Sequence, residues 1–330
     1  MNQKKGKFEY ISNFLLTNDN FILTAHETPD GDAIGSESAM YCALKAIGKN
    51  VIVINADLMA EKYTFLDYNN IFKVLDESSI LPEDIGKYTL IILDTSDVDN
   101  IGQVKDIILS KTKNHLIIDH HESKENTEEN ILIISEASST CEILYQLFDY
   151  SNIEINFNIA QALFVGIVYD TGSFIYPKTS AKTFSIAHKL VEKGVIPNNI
   201  YGRIYESNSV SALQLQSKVS ASLKLYYNQH VAVQIMLKET IKECNALYEE
   251  ADAIINTPLK SKRIKVSVFF KENTEGILRC SMRSKGNIDV AEIAQFFNGG
   301  GHKTAAGFKS KYPLDEIMVK VLKMLEVYFI

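Results

Sequence analysis

Several residue types that usually reveal a protein's class are scarce or absent in this chain. Its 330 residues contain no tryptophan, six prolines and four cysteines. The cysteines (Cys42, Cys141, Cys244 and Cys280) form no C-x-x-C pair, which argues against a disulfide framework or a zinc knuckle and favours a reducing compartment. No stretch approaches the roughly 18 apolar residues of a membrane span, and the N-terminal lysines precede no signal-peptide core. We therefore expect a cytoplasmic protein with no membrane partner.

The composition that is present is that of a soluble globular protein, with 46% hydrophobic and 23% charged residues. The length suits two ordinary domains. The net charge of −7 is uneven, because residues 1–195 carry −12 and residues 196–330 carry +5. Bound metal ions would offset part of the first charge, and an anionic ligand such as a phosphate ester suits the second. A drift of surface charge without function is the alternative.

Apolar runs alternate with helical patterns over residues 1–195. The predicted strands are 21–25, 51–54, 89–93, 115–118 and 131–134, and the predicted helices are 8–17, 33–47, 138–149, 157–169 and 179–193. This alternation predicts an α/β fold with a doubly wound, mainly parallel sheet. Residues 196–226 are predicted to be a linker and a connecting helix. Residues 227–330 then form a smaller α+β domain, with strands at 230–236, 263–270 and 277–283 and helices at 288–297 and 313–328.

The chain is organised around residues 115–121, where an apolar run leads directly into Asp119, His120 and His121. Such a run predicts a buried strand, and open α/β sheets bind their ligands beyond the carboxyl ends of the strands. Burying an acid and two imidazoles is costly unless something pairs with them, and a divalent metal is a suitable partner. A polar turn after a strand is the alternative.

Three other stretches place metal-binding side chains at the ends of apolar runs. They are His26, Asp30 and Asp32; Asp94; and Asp170. Pro29 and Gly31 allow a sharp turn, so that Asp30 and Asp32 can face two different ions. Two ions together clamp the attacking and leaving oxygens of a phosphoryl displacement, and a carboxylate and imidazole set favours Mn²⁺, Mg²⁺ or Co²⁺. Taken singly, a histidine such as His26 is more often a surface or core residue, an acid such as Asp94 is more often a loop acid or helix N-cap, and Asp170 could be an N-cap.

A second candidate site lies in the basic C-terminal part. Three glycines at 299–301 precede His302, and the backbone N–H groups of such a segment can bind an anion. Arg279 and Arg283 lie four residues apart on one predicted strand and therefore share a face. Arginine suits bidentate contact with phosphate. A flexible glycine loop is the alternative.

These motifs resemble, in order, those of the DHH phosphoesterase superfamily. HETPDGDAIGS, LDTSD, IDHH and VYDTGSF are similar to the four motifs of its catalytic domain, and GGGHKTAAGF is similar to the signature of the DHH-associated nucleotide-binding domain. The resemblance covers nearly the whole chain and is nearest to the NrnA-like group. It implies a DHH catalytic domain at 1–195 and a substrate-binding domain at 227–330. Asn298 stands where relatives often have a further glycine, and asparagine tolerates left-handed backbone angles.

The resemblance also implies a role for each motif residue. Asp94 would bridge two Mn²⁺ ions, and the other ligands would be His26 and Asp30 for one ion and Asp32, His120 and Asp170 for the second. His121 would face the scissile phosphate, and Asp119 would orient the neighbouring histidines. Substrate would be bound by Arg279, Arg283, Ser284, Gly299, Gly300, Gly301 and His302. A water activated by the metals would be the nucleophile.

The function expected from this resemblance is a two-metal phosphodiesterase, a 3′–5′ oligoribonuclease that converts short nucleotides to mononucleotides. Cyclic-di-AMP, linear pApA, short oligoribonucleotides and pAp all remain open as substrates, and so does a homodimeric state. Long duplex nucleic acid is not an expected partner. The alternatives are a RecJ-like single-strand exonuclease, which usually has further domains, and an inorganic pyrophosphatase, whose second domain lacks the glycine–histidine signature. A non-catalytic nucleotide sensor would have lost a ligand in one motif, and each motif here retains its ligands.

Overall fold

The computed structural model describes residues 2–76, 81–122 and 128–329. The chain divides into two compact units, Met1–Ser207 and Asn208–Ile330. The segment 196–226, predicted to be a linker and connecting helix, is split between them. A helix at Pro197–Tyr205 belongs to the first unit, and a helix at Val210–Ala221 belongs to the second. A three-residue strand, Lys224–Tyr226, follows where the sequence predicted that the helix would continue.

The first unit is built on a six-stranded sheet in which every neighbouring pair is parallel. Its strands are β1 (Asn20–Thr24), β2 (Asn50–Asn55), β3 (Phe72–Val74), β4 (Thr89–Leu93), β5 (Asn114–Asp119) and β6 (Ile131–Ile133). Their order is β3-β2-β1-β4-β5-β6, so the direction of winding reverses between β1 and β4. This confirms the predicted doubly wound α/β fold.

Both faces of this sheet are apolar, as expected for a parallel sheet. Leu23, Ile91 and Ile118 point into the larger core, and Ile22 and Ile92 point into a second core on the opposite face. The α-helices of the unit are α1 (Asn2–Thr17), α2 (Gly31–Ala46), α3 (Thr140–Tyr150), α4 (Phe157–Asp170), α5 (Ala181–Glu192) and α6 (Pro197–Tyr205). Helices α1 to α6 contribute to the larger core, which therefore fixes their ends relative to the sheet edge.

Helices α2 and α4 cross at unusually close range because both carry glycine at the crossing. A Cβ on Gly35 would lie 2.6 Å from the carbonyl oxygen of Ala162. A Cβ on Gly166 would lie 2.3 Å from Asp32 Oδ1 and 2.3 Å from Cys141 Sγ. Such distances exclude larger side chains. The close crossing carries the C-terminal residue of α4, Asp170, toward the start of α2.

The second unit is a smaller α+β domain, as predicted. Its strands are β7 (Lys224–Tyr226), β8 (Val231–Met236), β9 (Val266–Glu272), β10 (Leu278–Ser284), β11 (Gly300–His302) and β12 (Ala305–Lys309), in the order β11-β12-β10-β9-β8-β7. Its helices are α7 (Val210–Ala221), α8 (Lys238–Cys244), α9 (Val290–Phe296) and α10 (Leu314–Leu325). All strand pairs are antiparallel except β8–β9. None of the helices in the described part of the chain is both long and apolar enough to span a membrane.

Candidate metal centre and basic surface

The polar motifs of the first unit meet at one edge of its sheet. His26 follows β1, Asp94 follows β4, and Asp119, His120 and His121 lie at the end of β5. Strands β1 and β4 are neighbours at the point where the winding reverses, and β5 pairs with β4. Open α/β sheets bind ligands at such a switch point. The fold therefore places these side chains where a ligand site is expected.

Three groups of side chains at this edge could each hold a metal ion. They are His26, Asp30 and Asp94; Asp32, His120 and Asp170; and Asp94, His120 and His121. Within each group the ligand atoms lie within 4.8 Å of one another. All six residues predicted to be metal ligands appear in these groups. His121, which the sequence assigned to the substrate, appears as well.

Asp94 belongs to two of the groups and directs a different oxygen toward a histidine of each. Its Oδ2 is 3.7 Å from His26 Nε2, and its Oδ1 is 3.6 Å from His120 Nε2. The residue is 2% exposed and has a left-handed backbone conformation, with φ of 62°. Its N–H donates to the Ile118 carbonyl oxygen at 3.0 Å, which ties it to β5. One buried carboxylate thus faces both histidines, with one oxygen directed toward each.

The start of α2 carries two acids, Asp30 and Asp32, whose side chains point toward different histidines. Asp30 is the N-cap of the helix, and its Oδ1 accepts hydrogen bonds from the N–H groups of Asp32 and Ala33. Its Oδ2 lies 4.0 Å from His26 Nε2. Asp32 is fully buried, and its Oδ2 lies 3.9 Å from His120 Nε2. Two residues on one turn thus face two different histidines, and the prediction that they face two different ions stays a prediction.

The acids of this cluster are costly to ionise without a cation. Burial, followed by the charge of Asp170, raises the pKa of Asp30 and raises that of Asp32 to about 6. Burial and the charges of Asp32, Asp30 and Asp170 raise the pKa of Asp94 well above its usual range. Desolvation and like charges both disfavour the carboxylate form, and a bound cation would reverse this. The donor set therefore fits divalent metal ions.

The two histidines after β5 differ in exposure and in partners. His120 is buried, with Nε2 2.8 Å from Asp170 Oδ2. Burial lowers its pKa, but the nearby Asp170 and Asp32 carboxylates outweigh burial and raise it overall. The His121 side chain is 57% exposed, and its Nδ1 lies 2.8 Å from Asp119 Oδ1. The same Asp119 oxygen accepts the N–H groups of His120 and His121, so Asp119 orients both residues.

Sequence reasoning missed Thr140, the first residue of α3. Its N–H donates to Asp32 Oδ2 at 2.6 Å, and its hydroxyl donates to Asp94 Oδ1 at 2.9 Å. The next N–H, of Cys141, donates to Asp32 Oδ1 at 3.0 Å. A helix N-terminus thus holds one acid, and a hydroxyl holds the other. The run of Ser138, Ser139 and Thr140 before a helical pattern was the available signal, because it predicts a helix start with free N–H groups.

A buried hydrogen-bond chain behind β1 was also missed. Glu37 on α2 is fully buried, and its Oε2 accepts a hydrogen bond from Asn55 Nδ2 at 2.9 Å. The Oδ1 of Asn55 accepts the Ala25 N–H at 3.2 Å and the Thr24 hydroxyl at 3.3 Å. Burial raises the pKa of Glu37 to about 8. These hydrogen bonds hold the end of β1 in place immediately before His26.

The predicted substrate residues of the second unit lie on β10, β11 and β12. Arg279, Ser281 and Arg283 alternate with the buried residues Cys280 and Met282, so the two arginines share a face, as predicted. Ala305 of β12 is in register with both Arg283 and His302, which places these two side chains on the same face.

Two predictions for this surface need correction. Ser284 lies on the opposite, core-facing side of β10, and its hydroxyl donates to the Ile288 carbonyl oxygen at 2.7 Å. The glycine segment, predicted to be a loop with free N–H groups, forms the edge strand β11 paired with β12. Close packing requires glycine at two of the three positions, because a Cβ on Gly299 would lie 2.2 Å from the Gly307 carbonyl oxygen and one on Gly301 would lie 2.4 Å from that of Ala305. Asn298 has φ of 59°, a conformation that asparagine tolerates.

Comparison with known proteins assigns both units. Residues 20–167 match the model of the DHH family N-terminal domain, and residues 228–328 match that of the DHHA1 domain. A probable bifunctional oligoribonuclease and PAP phosphatase NrnA of Streptococcus mutans is 29% identical over 300 residues, covering 90% of this chain and 91% of the relative. The bifunctional oligoribonuclease and PAP phosphatase NrnA of Bacillus subtilis is 27% identical over 303 residues, covering 90% and 91%.

Solved structures support the same assignment of fold. An exopolyphosphatase-related protein from Bacteroides fragilis superposes with a TM-score of 0.88 and 27% identity, covering 98% of this chain and 96% of that one. The exonuclease RecJ bound to manganese superposes with a TM-score of 0.52 and 13% identity, covering 98% and 94%. The second likeness is one of fold alone.

Proposed function

The chain belongs to the DHH family, with a DHH N-terminal domain followed by a DHHA1 domain, and from this premise we propose that it is a two-metal phosphodiesterase for short nucleotides. The observation that carries the proposal is the position of Asp94, whose two oxygens face two separate donor groups at the switch point of the sheet. The names of the curated relatives favour short oligoribonucleotides and pAp as substrates. Linear pApA and cyclic-di-AMP stay open.

We propose that the first unit holds two Mn²⁺ ions, with Mg²⁺ or Co²⁺ as substitutes. One ion would be held by His26, Asp30 and Asp94, and the other by Asp32, Asp94, His120 and Asp170, in accord with the donor groups. The Nδ1 of His26 donates to the Glu27 carbonyl oxygen at 2.7 Å, which leaves Nε2 free for coordination. When bound, the ions would supply a water of lowered pKa as nucleophile and charge that stabilises the transition state.

His121 is proposed to act on the substrate rather than on a metal. Its Nδ1, the nitrogen 4.0 Å from Asp94, is engaged by Asp119 at 2.8 Å and is not free to coordinate. Burial raises the pKa of Asp119, but hydrogen bonds from His121 and its charge lower it overall, so Asp119 stays an ionised acceptor. With Nδ1 donating to Asp119, Nε2 of the exposed ring donates a hydrogen bond to a phosphate oxygen when the imidazole is protonated.

The second unit is proposed to bind the nucleotide away from the reacting phosphate. Arg283 and His302 share a face with Gly300 and Gly307, which carry no side chains to obstruct a ligand. The +5 charge of residues 196–330 suits an anionic substrate. We propose the cytoplasm as the location, which agrees with four free cysteines. A RecJ-like activity on long strands has only the likeness of fold in its favour.

The test is a panel of pApA, a short oligoribonucleotide, cyclic-di-AMP and pAp, with initial rates measured with Mn²⁺ and after chelation. We expect metal-dependent release of mononucleotides from at least one member of the panel. Full activity after exhaustive chelation, with metal absence checked by elemental analysis, would overturn the two-metal proposal.

The division of labour has its own test. Arg283→Ala should lower kcat/KM on a dinucleotide about 10- to 150-fold through KM, the loss expected for a charge-assisted contact of about 1.5–3 kcal/mol. It should leave bis-p-nitrophenyl phosphate, which needs only the metal centre, nearly unchanged. Lys323→Ala, at an exposed position on α10, is the matched control. Equal losses on both substrates would contradict the assignment.

A further inference from the structure

The sheet of the second unit has two unlike faces. On one face Val268, Phe270 and Phe308 pack with residues of α9 and α10. On the other face Phe269 of β9 and Met236 of β8 pack with residues of α7 and α8. This second face continues over β10 and β12. There it carries two exposed side chains, Arg279 on β10 and Lys309 on β12.

The strand register arranges this second face in rows. The first row is Ser267, Arg283, Ala305 and His302; the second is Phe269, Ser281, Gly307 and Gly300; the third is Lys271, Arg279 and Lys309. The substrate contacts proposed above use the first row. The third row lies four residues further along β10, about 13 Å away at the rise of an extended strand. The residues between them on β10 and β12 are small, so the surface connecting the rows is open.

The third row contains three basic side chains, and they differ in how many partners each one has. Lys271 is nearly buried, forms an ion pair with Asp252 and lies over the Tyr248 ring. Arg279 and Lys309 are exposed, and their side chains have no hydrogen-bond or ion-pair partner within the described residues. The two lie directly opposite each other across β10 and β12, where like charges destabilise a sheet. An anion bound between them would offset that cost.

We propose that Arg279 and Lys309 form a second phosphate subsite. The Arg283 row binds one phosphate of a short oligoribonucleotide, and this subsite binds a different phosphate of the same strand. Arginine offers a planar fork and lysine a mobile point charge, and both are suited to a phosphate oxygen. The 13 Å between the rows exceeds the reach of one phosphate group, so a longer strand engages both rows and a dinucleotide engages one. This inference rests on the proposed function and adds to it a preference for chains longer than two nucleotides.

The experiment measures binding and turnover of pApA and of the tetranucleotide pApApApA. Dissociation constants are measured by fluorescence anisotropy without divalent metal, and kcat/KM is measured with Mn²⁺. Lys309→Ala should weaken tetranucleotide binding about fivefold at low salt and leave pApA within about twofold. It should also reduce the slope of log Kd against log salt by about 0.7, the value for one phosphate contact on a single strand.

Three further variants distinguish a second phosphate subsite from a general effect of surface charge. Arg279→Ala should weaken tetranucleotide binding as Lys309→Ala does, whereas Arg283→Ala should weaken both lengths. Lys323→Ala removes the same charge from α10, on the opposite side of the sheet, and should change neither. Equal effects of Lys309→Ala on both lengths, or none on the tetranucleotide, would overturn the subsite. If the wild-type enzyme hydrolyses neither RNA, the proposed activity fails, and the dissociation constants still decide the subsite.

Discussion

Replacing Asp94 by asparagine should nearly abolish turnover and at the same time stabilise the metal-free protein. The change conserves shape, because asparagine can still accept the Thr140 hydroxyl that now lies 2.9 Å from Oδ1. Asparagine also tolerates the φ of 62° at this position. The substitution therefore removes a negative charge from the cluster with little disturbance of the fold.

The loss of activity follows from the two directions in which Asp94 points. Each oxygen faces one donor group, so the variant loses a charge-assisted contact with each of two proposed cations. At about 1.5–3 kcal/mol per contact, the loss is about 3–6 kcal/mol. This corresponds to a decrease in kcat/KM of about two to four orders of magnitude.

The gain in stability follows from the pKa of Asp94, which burial and three neighbouring acids raise well above its usual range. A raised folded-state pKa means that the unfolded chain ionises more readily, so the metal-free fold loses stability as the pH rises past the unfolded pKa. Asparagine removes this cost at neutral pH. In a unit of this size each kcal/mol regained raises Tm by about 2–4 °C.

The assay combines kcat/KM on pApA, bound manganese by elemental analysis, and thermal unfolding with and without Mn²⁺. Asp149→Asn, at an exposed position near the end of α3, is the matched control and should alter none of these. A variant that retains more than about a tenth of wild-type kcat/KM, a loss below about 1.4 kcal/mol, would refute the bridging role. A lower Tm of the metal-free variant would refute the electrostatic argument.

Two further predictions concern the supporting residues. Thr140→Val removes the hydroxyl donor to Asp94 but keeps the N–H donor to Asp32, so Mn²⁺ binding measured by titration calorimetry should weaken about tenfold, and Thr140→Ser should restore it. Glu37→Gln keeps an acceptor for Asn55 but cannot ionise. Because burial raises the pKa of Glu37 from 4.5 to about 8, wild-type stability is unaffected by this group below pH 4.5 and falls as the pH rises toward 8. Urea unfolding of metal-free protein at pH 5 and pH 8 should therefore show a larger loss of stability in wild type than in the variant, which still contains the acids of the metal centre, and equal losses in both would contradict the assignment.

The sequence brings side chains to one place in the fold wherever they directly follow a predicted strand. Apolar runs fixed the ends of β1, β4 and β5, and a parallel sheet brings such ends to one edge. The sequence alone therefore assigns His26, Asp94 and His120 to one edge of the sheet. The opposite facing of Asp30 and Asp32 likewise follows from two residues on one tight turn.

Sequence reasoning failed at Ser284 for a local reason, and at β11 and Thr140 because their roles depend on tertiary contacts. Ser284 follows Arg283 directly, yet neighbouring residues of a strand point to opposite faces, and Ser284 packs against the core. Strand β11 has three residues, two of them glycine, and is held by pairing with β12 rather than by its own propensity. In the sequence, Thr140 is an ordinary first residue of a helix. Its contact with Asp32 depends on how α3 packs in the fold.

The buried acids of the first unit show why a cation is the natural partner of this cluster. Glu37 is buried with one amide partner, and taking up a single proton removes the charge that burial makes costly. The acids of the metal centre are buried together, and the pKa of each depends on the charge of the others. Protonating all of them would leave the histidines without charged partners, and protonating none leaves several like charges in one small volume. Divalent cations resolve both difficulties at once, since they neutralise the carboxylates and accept the free imidazole nitrogens.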